Sequence, residues 1–389
     1  MLVTGCAVAG SPSAARTPTR AASEAAVVAP APTPTAAPAP APPIAPGALR
    51  ADDAALSLDG HPYRPVGLDV YQLATRWGQN MGCGGMFEDA QLDTFFASLP
   101  PRTLVRFWAW QGAMATNHET NQRDWRPLDR VMAAAERHGI VLIVSLGSQH
   151  GNCDDGRWKD VAWYEGGYRD LGTGDGYSKA IVPYPDYVRE IVTRYRTSPA
   201  VGMWEPINEP EASTCGPGLA MSHCYDDLTC PDPARSTAAL RSFFDGIGAL
   251  IRSIDADHLI ESGSIGGGQC GWAGSGFGTI GASAGIDVTS FHAYAGSVSD
   301  LRELGDRVAT SDALGKPLVV GEMGLPAGAT GGCASRTDRT RVMRESVDAM
   351  FGLGVDGIAL WNYGLDVAPG CSYDIGPVDP VLGLLHGAG

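Results

Sequence analysis

The sequence predicts an α/β fold, a (β/α)8 TIM barrel, on three observations. Eight short apolar runs rich in Val and Ile recur along the chain without strict alternation, as strands buried on both faces do. Stretches with helical periodicity separate most of them, which suits parallel strands joined by helical crossovers. The runs also end, one after another, in carboxylates, imidazoles, an amide or tryptophans, and core packing gives no reason to put such groups there. A doubly wound sheet is the alternative, but no Gly-rich phosphate loop follows the first run.

In order, the predicted strands are Arg64–Val70, Thr103–Trp110, Ile140–Leu146, Val201–Ile207, Leu259–Ser264, Asp287–Tyr294, Pro317–Gly321 and Gly357–Trp361. Ahead of the first, Ala55–Pro65 around Asp59-Gly60 reads as a hairpin that plugs the bottom of the barrel. Pro127–His138 reads as a helix stopped by Gly139, a natural left-handed C-cap. Tyr187, Val188, Ile191, Val192 and Tyr195 mark one helix face, and Leu240, Phe243, Phe244, Ile247, Leu250, Ile251 and Ile254 another. Ser335 with Asp338 forms a capping box before a helix carrying Val342, Val347 and Met350. Between the fifth and sixth strands, Gly266–Gly285 is mostly Gly, Ser and Ala and shows no clear helix.

The chain has 389 residues, with 28 Lys+Arg against 43 Asp+Glu and a net charge of −15. That balance argues against nucleic acid or an anionic membrane as partner, because both select a basic surface. No clean apolar run of about 20 residues is present, so no membrane-spanning helix is predicted. Residues 1–48 are expected to be a disordered leader. Val3-Thr4-Gly5-Cys6 resembles a bacterial lipobox with its front truncated, which makes Cys6 a candidate lipid anchor. Eight of the seventeen residues from Pro30 to Pro46 are Pro, a composition that favours an extended tether of about 50 Å. Residues 49–389 show no internal linker and read as one domain.

Eight of the nine Cys lie in that domain, pointing to disulfides and an oxidising compartment. They allow about a hundred connectivities. A zinc cluster of Cys215, Cys224 and Cys230 with His223 is the weaker reading, since no close two-Cys motif supports it.

The strand ends carry the chemistry. The second strand ends Arg106-Phe107-Trp108-Ala109-Trp110, and the third runs into Ser148-Gln149-His150. The fourth leads to Asn208-Glu209-Pro210, the sixth to His292-Ala293-Tyr294, the seventh to Gly321-Glu322 and the eighth to Trp361-Asn362. A single Glu at a strand-to-loop junction is usually a solvated or salt-bridged surface group. Two that face each other across a sugar can cleave a glycosidic bond. One protonates the leaving oxygen while the other stabilises or attacks the oxocarbenium-like centre, so their environments must hold them in opposite charge states.

Taken in this order, the motifs resemble the glycoside hydrolases of clan A, most closely family 5, over essentially all of residues 49–389. The resemblance implies a single catalytic domain that hydrolyses β-linked sugars with retention and needs no metal or cofactor. Glu209 would be the acid/base and Glu322 the nucleophile. Arg106 and His292 would hold Glu322 charged, with Tyr294 donating to the same carboxylate. Asn208 would bond the sugar 2-hydroxyl and Trp361 would form the platform beneath the cleaved sugar. Trp108 and His150 complete the substrate-binding set. Glu205 and Glu211 are expected to be structural or rim residues, and His118, His138, His223 and His258 surface or capping residues.

Trp77, Trp108, Trp110, Trp158, Trp163, Trp272 and Trp361 are expected on the active rim as sugar subsites. Cys83 with Cys153, and Cys333 with Cys371, are candidate bridges that would stiffen the long loops at that face. Cys215, Cys224 and Cys230 share the loop after the acid/base. Gly67-Leu68-Asp69-Val70-Tyr71-Gln72-Leu73 and the Arg106–Trp110 stretch are similar to family 5 β-mannanases. A β-1,4-mannan or another mannose-containing glycan, cut by endo action, is therefore the expected substrate. A β-1,4-glucanase, an exo-β-glycosidase or a transglycosylase on the same site are the alternatives. Pro206 and the Cys-rich loop after Glu211 depart from the mannanase pattern. The reading outside enzymology is a non-catalytic carbohydrate-binding lipoprotein, against which the paired carboxylates weigh. A metal-dependent barrel hydrolase would need His and Asp pairs at strand ends, and Asp69 has no His-x-His beside it. The protein is expected to be secreted, anchored to the cell envelope if Cys6 is lipidated, and a monomer.

Overall fold

The computed structural model of the protein describes residues 49–75, 83, 87–215, 228–294, 298–328, 332–368 and 370–387. The expectations for the leader (Cys6, the tether), for Trp77, and for His223 and Cys224 lie outside them. Within them, eight parallel strands form one sheet. They are β1 (Val66–Asp69), β2 (Leu104–Trp108), β3 (Val141–Ser145), β4 (Val201–Glu205), β5 (Leu259–Ile260), β6 (Thr289–Tyr294), β7 (Leu318–Gly324) and β8 (Gly357–Leu360). The hydrogen-bonded order is β5-β4-β3-β2-β1-β8-β7-β6. A parallel bridge between Glu261 and Val288 joins the two end strands. There, Val288 N–H donates to the Ile260 carbonyl at 3.1 Å, and Ser262 N–H to the Val288 carbonyl at 3.1 Å. The sheet is thus closed, and the barrel expected from the sequence is borne out.

Helices fill the crossovers, including a short one, Gly276–Gly281, inside the Gly-rich stretch where the sequence shows no clear helix. They are α1 (Asp89–Ser98), α2 (Arg126–His138), α3 (Tyr184–Tyr195), α4 (Pro233–Ile254), α5 (Gly276–Gly281), α6 (Val298–Ala313) and α7 (Arg336–Leu353). Gly139 closes α2 in the left-handed region at φ 63°, where a Cβ would cost energy. The Ser335 side chain accepts the Asp338 N–H at the start of α7, satisfying one donor that the first turn leaves unpaired. On α4, Leu240, Phe243, Phe244, Ile247 and Ile251 are buried, each contributing roughly 1.5–3 kcal/mol against exposure. The Gly-rich stretch has a packing role that periodicity does not reveal. A Cβ on Gly248 of α4 would meet the Gly285 Cα at 2.2 Å, so two glycines let the helix lie directly on the chain that leads into β6.

The bottom plug is larger than a hairpin. Strands Leu49–Asp52, Ala55–Leu58 and His61–Pro62 form a three-stranded antiparallel sheet. Its Leu49, Leu56 and Leu58 pack with Leu104, Val141, Ile143, Met203, Val288 and Val319 from the strands into a second core at that end. A run of four residues before a turn was too short to stand out. β7 runs past Gly321 to Gly324, so Glu322 lies inside a strand and not just beyond one.

Disulfides join Cys83 to Cys153, Cys230 to Cys270 and Cys333 to Cys371, with Cα–Cα distances of 5.6, 5.4 and 5.7 Å. Two of the three are the expected pairs. The third takes Cys230 out of any thiolate set for zinc, because a disulfide sulfur is not a thiolate. Two of the tryptophans expected at the rim are core residues instead. Trp163 packs against Phe243, and Trp272 is enclosed by Phe244 and Phe277. His258 is not at the surface either. It is buried, with Nδ1 2.7 Å from Asp255.

Candidate active site

The C-terminal mouth of the barrel opens into a cleft of about 380 Å³. It is lined by Trp108, Trp110, Ser148, His150, Asn152, Cys153, Asn208, Glu209, Tyr294, Glu322 and Trp361. All seven predicted site residues with solvent-facing roles are in that lining. The other two, Arg106 and His292, are buried and hold the carboxylates of the cleft by direct contact. The aromatic wall has a member that sequence reasoning passed over as a site residue. Tyr71 follows β1, with its ring centroid 4.4 Å from Trp108 and 5.4 Å from Trp361. Trp108 and Trp110 stack at 3.7 Å.

Local backbone aims the two acids. Glu209 stands at φ 54°, in a region that a non-glycine residue occupies at a cost of about 1–3 kcal/mol. Its N–H donates to the Gly263 carbonyl at 2.8 Å, and the neighbouring Asn208 N–H donates to Gly147 at 2.8 Å. These bonds hold the turn after β4 against β3 and β5. Glu322 is placed by an irregularity in β7. Val320 faces Phe291 while Glu322 faces His292, so Gly321 is an extra residue of the β-bulge kind that re-aims the next side chain. A Cβ on Gly321 would come within 3.1 Å of His292 Nε2 and 3.2 Å of Ser290 Oγ, which accounts for glycine at the bulge.

Arg106 organises the floor. Its Nε and Nη2 donate to the two oxygens of Glu205 at 2.6 and 2.7 Å, Nη2 also to Asn208 Oδ1 at 2.5 Å. Its Nη1 donates to Asp69 at 2.5 Å and to Glu322 Oε1 at 2.8 Å. These five contacts match the five N–H groups of a guanidinium. Arginine only donates, so the oxygen of the Asn208 amide must face it, and the amide NH₂ is left to point elsewhere. Glu205 is structural as expected, but its position is the barrel interior, as the bidentate partner of Arg106. Glu211 is tied back by its N–H to Gln149 Oε1 at 2.9 Å.

His292 lies between the two acids. Its Nδ1 is 2.9 Å from Glu209 Oε1 and 3.6 Å from Glu322 Oε2, so its principal partner is Glu209 and not Glu322. Tyr294 donates its hydroxyl to Glu322 Oε2. His150 Nε2 lies 3.8 Å from Glu209 Oε2, a charge contact too long to be a hydrogen bond. One ligand atom from each of Glu209, His292 and Glu322 lies within 4.8 Å of the other two. The spacing admits a cation, and the Arg106 guanidinium bonded to Glu322 already places a positive charge beside it.

The electrostatics of the pair follow from these contacts. Burial pushes the Glu209 carboxyl up, but the hydrogen bond of His292 and the proximity of the His150 ring outweigh it and hold the group well below the usual carboxylate range. Burial pushes Glu322 up, and the fields of His292 and Arg106 do not fully offset it. The two shifts run in opposite directions, with the lower-lying carboxyl on Glu209. Arg106 stays charged at any working pH and touches only Glu322 of the pair. That charge-assisted donor favours the anion on Glu322.

A closed eight-stranded barrel with paired acids at its mouth is the architecture of the clan A glycosidases that the motifs resemble. No family model matches the chain. Among curated proteins it is 26% identical over 237 residues to mannan endo-1,4-β-mannosidase 7 of Arabidopsis thaliana, covering 56% of this chain and 48% of that protein. It is 27% identical over 270 residues to a probable mannan endo-1,4-β-mannosidase A-2 of Aspergillus terreus, covering 64% and 59%. The match thus spans about half to three-fifths of the length of these relatives. Among solved structures, the endo-1,4-β-mannanase of Rhizomucor miehei superposes with a TM-score of 0.60 at 19% identity, over 86% of this chain and 96% of that one. A family 5 mannosidase from the same organism gives 0.57 at 14% identity, over 86% and 95%. The resemblance to clan A, family 5 glycosidases is borne out by these relatives in sequence and neighbours in fold.

Proposed function

We propose that residues 49–389 form a retaining endo-β-mannanase that cleaves β-1,4-mannan or a related mannose-containing glycan by double displacement, without a metal. The observation that carries this reading is the close approach of Glu209 and Glu322 beside His292, with one carboxyl oxygen of each within 4.8 Å of the other. Retaining glycosidases hold their carboxyls about 5–5.5 Å apart, whereas inverting ones leave about 6.5–9.5 Å for a water between them. Sequence likeness to mannan endo-1,4-β-mannosidases supports the choice of sugar. The disulfides support a site of action outside the cytoplasm.

In the first step, a Glu322 oxygen attacks the anomeric carbon. The bond to the leaving oxygen breaks, and Glu209 gives that oxygen its proton. In the second step, Glu209 takes a proton from water as the water oxygen displaces Glu322, restoring both groups. Arg106 and Tyr294 hold the attacking carboxylate and stabilise its charge. The free NH₂ of Asn208 meets the sugar 2-hydroxyl, and the half-exposed Trp361 ring carries the apolar sugar face. The starting state requires the proton on Glu209 and the charge on Glu322, which the direct bond from Arg106 to Glu322 supports.

The test is hydrolysis of mannan, glucomannan, cellulose and mixed-linkage glucan oligosaccharides, reading product length and anomer. Glu322→Ala and Glu209→Ala should each lose several orders of magnitude in kcat while folding normally. Azide should rescue Glu322→Ala with an inverted glycosyl azide. Full activity in either variant, or an inverted sugar from the wild type, would end the reading. Product on glucans alone would move the specificity and leave the mechanism.

A further inference from the structure

The interior of the barrel holds more carboxyl groups than its cation can serve. Asp69, Glu205, Glu261 and Glu322 are all buried around Arg106. Arg106 bonds to three of them, and Glu261 is the one it does not reach. Glu261 follows β5 at the closure seam, where it bridges to Val288 of β6. Because Ile260 pairs with Trp204 and Glu261 N–H donates to the Trp204 carbonyl at 2.8 Å, Glu261 falls in register with Glu205. Residues in register on parallel strands point to the same face, so both carboxyls enter the barrel.

Both Glu261 oxygens are buried and receive no hydrogen bond from the described residues. An ionised carboxylate set beside a second anion, with no ion pair of its own and only the Ser290 hydroxyl near it, is costly to bury. A protonated one becomes a donor and has acceptors at hand. The Glu205 carboxylate and the Ser290 hydroxyl lie against it, and Ser290 Oγ is itself without another partner among the described residues. The other charged groups of the interior are Arg106 on β2, Asp69 at the end of β1, His292 on β6 and Glu322 on β7. None of them offers Glu261 a hydrogen bond.

We propose that Glu261 is a positioning residue: it stands protonated in the barrel interior and donates to Glu205, fixing the anion that clamps Arg106 and so aims Nη1 at Glu322. Burial and the Glu205 charge push the Glu261 carboxyl well above the usual range, in the same direction. With the proton on Glu261, Glu205 remains the full anion for its two bonds to Arg106. Without it, two adjacent anions would compete for one guanidinium, and Glu322 would lose part of its donor. The link from Glu261 to catalysis rests on the glycosidase reading of Glu322. The protonation state of Glu261 does not.

The experiment compares wild type, Glu261→Gln and Glu261→Leu in the full chain. Infrared difference spectra at neutral pH should show a buried carboxylic-acid carbonyl band in the wild type that is absent from Glu261→Gln. That arm is independent of any substrate. On mannan oligosaccharides, Glu261→Gln keeps a neutral donor and should retain kcat and the pH profile of kcat/KM. Glu261→Leu removes the donor, loosening Arg106 and Glu322, and should lower kcat about tenfold to a hundredfold while moving the acid limb. If Glu261→Leu does not fold, the infrared band and the Glu261→Gln profile decide. A spectrum unchanged by Glu261→Gln, or a pH profile that Glu261→Gln displaces, overturns the proposal. A wild type inactive on every β-glycan, with the band still lost in Glu261→Gln, overturns the glycosidase reading and leaves the protonated pair standing.

Discussion

Replacing Arg106 by Lys is the most informative perturbation of the site, because it keeps the charge and removes the geometry. Arg106 is fully buried and makes five hydrogen bonds to Asp69, Glu205, Asn208 and Glu322. An ammonium has three N–H groups on one atom, so at least two of the five are lost and the bidentate grip on Glu205 cannot form. Hydrogen bonds to charged groups contribute about 1.5–3 kcal/mol each, giving a destabilisation of about 3–6 kcal/mol. At about 2 °C per kcal/mol for a large domain, the melting temperature should fall by about 6–12 °C. Asn208 and Glu322 both take their orientation from this guanidinium, so kcat on mannan oligosaccharides should drop about a hundredfold even well below the melting point. Calorimetry and initial rates on one preparation measure both. A variant that melts with the wild type, or that melts early yet turns over normally, would refute the argument that one side chain sets both stability and alignment.

Three further outcomes are expected. The depressed Glu209 carboxyl owes its position partly to His150, so His150→Gln should raise it and carry the basic limb of kcat/KM to higher pH; a limb that stays or falls contradicts the assignment. Burial pushes Asp356 up to about 6 from 3.8, against its bond to the Leu318 N–H. A carboxyl raised on folding lends stability below its unfolded value that is lost as pH climbs through the folded one. The melting temperature should therefore decline between about pH 4 and 6, and Asp356→Asn should flatten that decline in thermal melts. Gly321→Ala would press a methyl on His292 Nε2 and Ser290 Oγ. It should reduce kcat more than it reduces KM or thermal stability, and equal losses in all three would argue for general misfolding.

Much of this was legible from spacing alone. Apolar runs without alternation identified strands covered on both faces, and the order of polar strand ends brought Glu209, Glu322 and five companions to one cleft, with Arg106 and His292 buried against its carboxylates. A barrel converts that order into proximity, since every parallel strand delivers its last residues to the same rim. The failures were also physical. Tryptophans in loops read as cleft residues, but Trp163 and Trp272 turn inward onto α4 and α5, where their large apolar rings are better covered. His292 looked like the partner of Glu322, yet although the bulge at Gly321 sets those two residues in register, its Nδ1 stands nearer Glu209, at 2.9 against 3.6 Å.

What the sequence determined by itself was the set of groups and their order along the chain, because periodicity and strand-end chemistry are local properties of the polypeptide. The tertiary structure alone decided which oxygen meets which nitrogen. A one-residue bulge, a left-handed turn at Glu209 and the closure of β5 on β6 shift side chains by a few ångströms. Hydrogen bonding and charge coupling change steeply over that range, and no pattern of residue types records it.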